Sequence, residues 1–155
     1  MPKLLNVSNR RAFLDMLAVS EGTKGIGDDG YNVLYGGGLF ASYADHPRRK
    51  LTFKIKGKPV TSTAAGRYQI LAKYFDAYKL TLGLPDFSPA SQDAIALQMI
   101  REQKALPDID AGRFAQAVAK CANILASLPG AGYGQHEQKI EHLAAAFTQS
   151  GGVMA

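Results

Sequence analysis

The segment FLDMLAVSEGT places a carboxylate where an apolar helical stripe ends. Phe13, Met16 and Leu17 share one helical face, and Glu21 falls at the edge of that face. Gly22 favours a helix end directly afterwards, so the carboxylate lies in the last turn, where unpaired carbonyls make the local potential negative. Partial burial and this potential both favour the protonated form, which a general acid needs. An ordinary solvated glutamate at a helix end has the same spacing, so the pattern leaves both interpretations open.

Three aspartates that follow Glu21 could supply the second carboxylate of a hydrolase: Asp28, Asp29 and Asp45. The first two lie among glycines, where aspartate commonly forms turns, and Asp45 precedes a His-Pro pair that favours a capped turn. The histidines show no metal-ligand spacing, and no Gly-x-Ser-x-Gly sequence supports a serine nucleophile. Glu21 is therefore the leading acid, and we expect neither a metal nor another cofactor.

Length and charge narrow the class of protein. The chain has 155 residues, 46% of them hydrophobic, which predicts one domain spanning residues 1–155. Its net charge is +5, and most of the excess lies between residues 48 and 58. Such a patch suits nucleic acid or an anionic cell envelope, but no helix carries the basic row of a nucleic-acid reader. No secretion signal or membrane span is readable, so we expect cytoplasmic synthesis without membrane insertion.

The order of the elements predicts a mainly helical α+β domain whose extended part lies in the first half. Apolar spacing predicts helices over about residues 9–21, 68–82, 89–104, 112–128 and 135–149, with Ser8 and Asp110 among the N-caps. The glycine-rich segment 22–38 follows no strand and contains no Gly-Lys-Ser/Thr, which argues against a nucleotide site. Turns with short extended pieces at 31–35 are expected there instead.

Alternating residues from Leu51 to Lys56 predict a half-buried strand with a cationic face. A turn at 57–59 and a second strand at 60–63 complete a hairpin that carries Lys54, Lys56 and Lys58. This basic feature could attract an anionic ligand. It could equally be a charged edge that discourages pairing with another sheet.

Three blocks, AFLDMLAVSEGT, AGRYQIL and NILASLPGAGYGQ, occur with DHPRR and LGLPDFSPASQDAIALQ between them. In this order they resemble the phage lambda endolysin family, lysozyme-like lytic transglycosylases, over about residues 9–152. The resemblance implies a lysozyme-like α+β fold with a substrate cleft between a mainly helical lobe and a smaller β-containing lobe. It also implies cleavage of the β-1,4 bond between N-acetylmuramic acid and N-acetylglucosamine in peptidoglycan, leaving a 1,6-anhydro end. Glu21 falls in the family's Ser-Glu-Gly-Thr motif, which gives it the catalytic role.

Amide and phenol groups beside flat rings suit a neutral glycan. The motifs that the family places beside its cleft contain Tyr68, Gln69, Tyr133 and Gln135, and Tyr31 is added on residue type alone. Tyr68 also begins an apolar stripe, so a core position is the alternative. The three hairpin lysines would draw the enzyme to the anionic wall.

Two other functions stay open beside the lytic transglycosylase. One is a hydrolytic muramidase that uses the same site, and the other is a wall-binding module without catalysis. We expect a monomer whose partner is the glycan strands of peptidoglycan. The family further implies that such an enzyme reaches the periplasmic wall through a lesion made by a separate holin.

Overall fold

The structure, a computed structural model, describes residues 2–125 and 138–155. In these ranges the elements are α1 (Pro2–Glu21), β1 (Leu51–Ile55), β2 (Lys58–Ser62), α2 (Ala72–Leu82), α3 (Pro89–Glu102), α4 (Leu106–Asp110), α5 (Phe114–Cys121) and α6 (Ile140–Gln149). The predicted mainly helical α+β class is confirmed. The chain divides into two compact units, residues 1–22 with 97–155 and residues 23–96. No helix in the described ranges is both long enough and apolar enough to cross a membrane.

The first unit is built on the apolar face of α1. The Phe13 ring meets Phe114 and Phe147 edge-on, with centroid distances of 6.1 and 6.5 Å. Met16 and Leu17 are buried on the same face. Burying each such side chain stabilises the fold by about 1.5–3 kcal/mol. The stripe predicted from spacing is therefore the surface on which α5 and α6 contribute their aromatic rings.

Two predicted helix caps are wrong, because distant partners take their side chains. α1 begins at Pro2, so Ser8 lies inside the helix, and its hydroxyl donates to the carbonyl of Gly151 at 3.2 Å. Asp110 ends α4 instead of capping the next helix. Its carboxylate accepts two hydrogen bonds from Arg10, at 2.9 and 2.8 Å.

The helix predicted from Tyr68 starts later, at Ala72. Ala65 and Ile70 exchange two backbone hydrogen bonds, of 3.1 and 2.8 Å, and these close residues 65–70 into a tight loop. α5 ends at Cys121, short of the predicted residue 128. The predicted helix at 135–149 is confirmed from Ile140 to Gln149, whereas positions 126–128 and 135–137 lie outside the described residues.

The predicted hairpin is confirmed, with a shifted turn. β1 and β2 pair antiparallel, Lys54 opposite Pro59 and Ile55 opposite Lys58. Lys56 and Gly57 form the two-residue turn with φ of 51° and 79°, the signs that a type I′ turn requires. Because paired residues share a face, Lys58 lies on the side of Ile55, and Lys54 lies on the other. Lys56 lies in the turn itself, so the three exposed lysines surround the hairpin tip.

An aromatic cluster fills the core of the second unit. Phe75 and Phe87 meet edge-on at 5.1 Å, and the His46 ring lies 4.8 Å from Phe87. His46 Nδ1 accepts from the Arg48 N–H at 2.9 Å, so Nε2 carries the proton and donates to the carbonyl of Ile70 at 2.8 Å. Burial lowers the pKa of His46 below its ordinary value. His46 is thus a neutral core residue with both ring nitrogens in use.

Gly66, in a loop of the second unit, lies at a backbone position with no room for a side chain. Its φ is +83°, and an added Cβ would stand 2.3 Å from Gln92 Oε1 and 3.0 Å from the Phe87 ring. We expect Gly66→Ala to lower the free energy of unfolding by about 2–5 kcal/mol, because left-handed strain costs about 1–2 and overpacking about 1–3 kcal/mol. Urea denaturation measures the loss.

Gly57 provides the matched control for this prediction. Its φ is +79°, but nothing lies within 4 Å of the position of an added Cβ. Gly57→Ala should therefore cost only the strain, about 1–2 kcal/mol. Equal losses in the two variants would contradict the packing argument.

Candidate functional site

Glu21 lies in the position that the sequence predicts. α1 ends at Glu21, and Gly22 follows with φ of 77° and an N–H bonded to the carbonyl of Val19 at 3.1 Å. The Glu21 side chain is half-buried and follows Ser20, which is 4% exposed. The carbonyls of a last helical turn disfavour a nearby negative charge.

The second unit begins at Thr23, two residues further along the chain. Thr23 is 2% exposed, and its hydroxyl donates to the carbonyl of Arg67 at 2.6 Å. A Cβ at Gly30 would stand 2.9 Å from Thr23. The threonine of the Ser-Glu-Gly-Thr motif is thereby tied to the arginine of the AGRYQ motif.

Arg67 is a buried cation, 1% exposed, that holds the loop of residues 23–32. Its Nε donates to the carbonyl of Asp29 at 2.9 Å, and a terminal nitrogen lies 3.2 Å from the Asp29 carboxylate. Partial burial opposes ionisation of Asp29. The hydrogen bond from the Gly25 N–H and the charge of Arg67 outweigh it, so the pKa of Asp29 is lowered. Asp29 is therefore the ionised partner of a buried guanidinium.

Tyr31 and Tyr68 share one acceptor, the Oδ1 atom of Asp93 on α3. The O–H groups donate to this oxygen at 2.9 and 2.5 Å, and the rings lie nearly perpendicular with centroids 6.4 Å apart. The Arg67 guanidinium lies 5.2 Å from the Tyr31 centroid and 5.8 Å from that of Tyr68. Burial, followed by the charge of Asp93, raises the pKa of both phenols, so they stay protonated donors.

The amide of Gln92 links α3 to these loops. Gln92 is fully buried, and its nitrogen donates to the carbonyls of Tyr31 and Phe87 at 3.0 and 2.9 Å. Its oxygen accepts from the Arg67 backbone N–H at 2.9 Å. Both amide hydrogens and the oxygen thus have partners, which fixes the backbone beneath Tyr31.

The sequence-predicted binding residues have unequal surroundings. Tyr31 is half-buried and Tyr68 is 3% exposed, so the core position that the apolar stripe offered for Tyr68 is the one it occupies. Gln69, at φ of 52°, uses its amide nitrogen on the carbonyls of Gly66 and Val33, at 2.8 and 3.3 Å. Tyr133 and Gln135 lie outside the described residues.

The endolysin family model matches residues 11–154 of the chain. The chain belongs to the endolysin family. It is 53% identical to the endolysin of Escherichia phage lambda, over 97% of both chains, and 47% identical to that of Escherichia phage P2, over the full length of both. A structure of bacteriophage lambda lysozyme complexed with a chitohexasaccharide matches with a TM-score of 0.91, over 96% of this chain and 97% of that one. A second lambda lysozyme structure matches with a TM-score of 0.86. The predicted family and its lysozyme-like α+β fold are confirmed.

Each aspartate considered as a second carboxylate in this endolysin-family chain has a partner in the second unit. Asp28 accepts from the Tyr43 hydroxyl at 2.8 Å, and Asp29 pairs with Arg67. The carboxylate of Asp45 accepts from Arg48 at 2.9 Å, and this bond lowers the pKa of Asp45. Among the described residues, no group of three or more His, Cys, Asp and Glu side chains could hold a metal ion.

Three residues of the candidate site were not found from the sequence. Arg67, Gln92 and Asp93 lie inside blocks that carried the family resemblance, but neither residue type nor spacing distinguishes them from surface residues. The one usable signal is the Gln-Asp pair within the apolar pattern of α3, since polar residues at buried helix positions are rare and usually hydrogen-bonded.

We expect Arg67→Lys to lower the free energy of unfolding by about 2–4 kcal/mol. A lysine ammonium cannot reproduce the forked contacts to Asp29 and Tyr68, and it leaves buried acceptors unpaired. Chemical denaturation measures the loss. Arg49→Lys, at an exposed position, is the control and should change stability by less than about 0.5 kcal/mol. Equal stability of the two variants would contradict a structural role for the buried fork.

Proposed function

We propose that this chain is a glycan-cleaving enzyme that degrades the bacterial cell wall, and that it acts as a lytic transglycosylase. Its substrate is the β-1,4 bond between N-acetylmuramic acid and N-acetylglucosamine in peptidoglycan. The observation that carries this proposal is the half-buried Glu21 at the last turn of α1, in a chain 53% identical to phage lambda endolysin. The chitohexasaccharide bound by lambda lysozyme supports a glycan ligand.

Glu21 acts first as acid and then as base in this mechanism. Its carboxylic acid protonates the glycosidic oxygen as the bond to C1 of muramic acid breaks. The 6-hydroxyl of the same sugar then attacks C1, and the Glu21 carboxylate takes the hydroxyl proton. The acid is thereby regenerated and no water is consumed. Because the nucleophile belongs to the substrate, proximity is built in, and the second carboxylate of a typical glycosidase is not needed.

The three aspartates that follow Glu21 in the sequence already have hydrogen-bond partners, which supports a mechanism with a single catalytic carboxylate. Asp29 and Asp45 are held ionised by Arg67 and Arg48, and Asp28 accepts from Tyr43. A carboxylate that already neutralises an arginine is a weaker base for activating water. These pairings disfavour the alternative, a hydrolytic muramidase.

We assign glycan binding to side chains of the second unit and of the NILASLPGAGYGQ block. We place Tyr31 against a sugar, with Gln69 and Tyr68 in the loop that supports it. Tyr68 acts indirectly because its ring is buried. Tyr133 and Gln135 are included through the family motif. The exposed Lys54, Lys56 and Lys58 around the hairpin tip attract the anionic wall.

The biological setting is lysis of a bacterial host. The matched relatives are endolysins of two Escherichia phages. We infer that the chain is made in the host cytoplasm, acts as a monomer, and reaches the periplasmic wall after a separate holin opens the membrane.

We expect Glu21→Gln to lower the rate of peptidoglycan solubilisation by about 10²–10⁴-fold, because glutamine can neither donate the first proton nor accept the second. Mass spectrometry of wild-type digests should find 1,6-anhydro muramoyl ends, lighter by one water than reducing ends. Asp45→Asn, which removes an exposed carboxylate outside the proposed machinery, should keep activity within about twofold.

Two results would count against this mechanism. Reducing ends instead of anhydro ends would identify a hydrolase. Unchanged solubilisation by Glu21→Gln would remove Glu21 from the chemistry, and no solubilisation by the wild type would leave the wall-binding module as the better reading.

Replacing Lys54, Lys56 and Lys58 with glutamine should slow wall binding at low salt by about tenfold and flatten its salt dependence, because Coulomb steering acts mainly on the encounter rate. Binding of fluorescent protein to purified sacculi over a salt series measures this. A triple variant at Lys73, Lys104 and Lys139 makes the same charge change at exposed residues that are not part of the hairpin. If both triple variants behave alike, net charge and not the hairpin governs binding.

A further inference from the structure

One carboxylate oxygen in the second unit accepts hydrogen bonds from the hydroxyl groups of two tyrosines. Asp93 Oδ1 lies 2.9 Å from the Tyr31 hydroxyl and 2.5 Å from that of Tyr68. Both phenols are the donors in these hydrogen bonds, and the aspartate oxygen is the shared acceptor. Their O–H bonds therefore point inward, to the same atom.

The two phenols differ in what remains available to a ligand. The Tyr68 oxygen also accepts from Arg67 at 3.2 Å, and its residue is 3% exposed. Tyr31, by contrast, is half-buried. Because the Tyr31 hydroxyl donates its one hydrogen bond to Asp93, the Tyr31 oxygen can act toward a ligand only as an acceptor.

A neutral acceptor at position 93 would not impose this direction. An asparagine oxygen can accept the same two hydrogen bonds, but its NH₂ group can also donate, which allows a phenol to reverse its role. A carboxylate excludes the reversed state, and hydrogen bonds to an ionised acceptor are roughly twice as strong as neutral ones. The Arg67 guanidinium, stacked over both rings, supplies the compensating positive charge.

We propose that Asp93 is a positioning residue for glycan recognition: it fixes the Tyr31 ring and makes the Tyr31 oxygen an acceptor only, so that Tyr31 selects a hydroxyl or amide N–H of the sugar. The proposal rests on the proposed function, which places Tyr31 against the glycan. Sugars present many such donors, whereas a ligand group that only accepts, such as a carboxylate, is disfavoured at this position.

The test measures binding of an N-acetylglucosamine hexamer by titration calorimetry, with Glu21→Gln in every protein to stop turnover. Asp93→Asn should weaken binding by about fivefold to tenfold, and Tyr31→Phe by a similar factor. In the double variant the factors should not multiply, because Asp93 acts through Tyr31. In a Tyr68→Phe background, Asp93→Asn should keep its full effect.

A merely structural Asp93 gives a different pattern. It would lower the free energy of unfolding and weaken binding by the same factor with or without Tyr31→Phe, and that result overturns the proposal. Unchanged binding by Asp93→Asn overturns it as well. Asp93→Glu, which keeps the charge but shifts the carboxylate, is the second variant if Asp93→Asn fails to fold, and it should show the same dependence on Tyr31. Asp76→Asn is the charge-matched control and should bind as the parent does.

Kinetics of the active enzyme separate this proposal from the proposed function. With Glu21 intact, Asp93→Asn should raise KM for peptidoglycan by about fivefold and leave kcat within about twofold. If the wild type cleaves nothing, the proposed function fails, whereas the calorimetric comparison still decides whether Asp93 acts through Tyr31.

Discussion

The buried guanidinium of Arg67 is the charge on which the second unit depends. A buried cation costs several kcal/mol unless its hydrogen bonds and countercharge are in place. Asp29 and Tyr68 satisfy the side chain, and Thr23 and Gln92 satisfy its own backbone. These partners come from the loop after α1, the loop of residues 65–70 and α3. The three segments must therefore take their positions together, which explains why a Cβ at Gly30 or Gly66 has no room.

Features set by neighbouring residues were predictable from the sequence. The apolar face of α1 depends on intervals of three and four, and its end at Glu21 depends on the glycine that follows. The predicted caps failed for the opposite reason. Ser8 bonds a carbonyl 143 positions away, and Asp110 pairs with an arginine 100 positions away. Side chains with strong distant partners are withdrawn from local roles, and spacing contains no information about such partners.

The residues of the candidate site show the same contrast between features that the local sequence predicts and features that depend on distant partners. Glu21 and the tyrosines were predicted because their residue types and motifs are typical of groups that contact a substrate. Asp93 and Gln92 were missed because they meet only other protein groups, and a helical polar position predicts solvent as readily as a buried acceptor. Tyr68 shows how the two descriptions combine. Its motif predicts a position near the glycan, and its apolar stripe predicts the core position that it occupies. The shared Asp93 oxygen connects this buried ring to the half-buried ring of Tyr31.

The chemistry proposed for Glu21 and the network around Arg67 have a common physical logic. A hydrolase must hold a water molecule and activate it with a second carboxylate. A transglycosylase has its nucleophile on the substrate, so its protein must orient a sugar ring. A network whose donors and acceptors already have partners suits that task, because it resists reorganisation and offers the ligand a fixed pattern of lone pairs. In the second unit, Asp28, Asp29, Asp45 and Asp93 accept hydrogen bonds from arginines or phenols. In the proposed mechanism these hydrogen bonds orient the protein groups, and the proton transfers are left to Glu21.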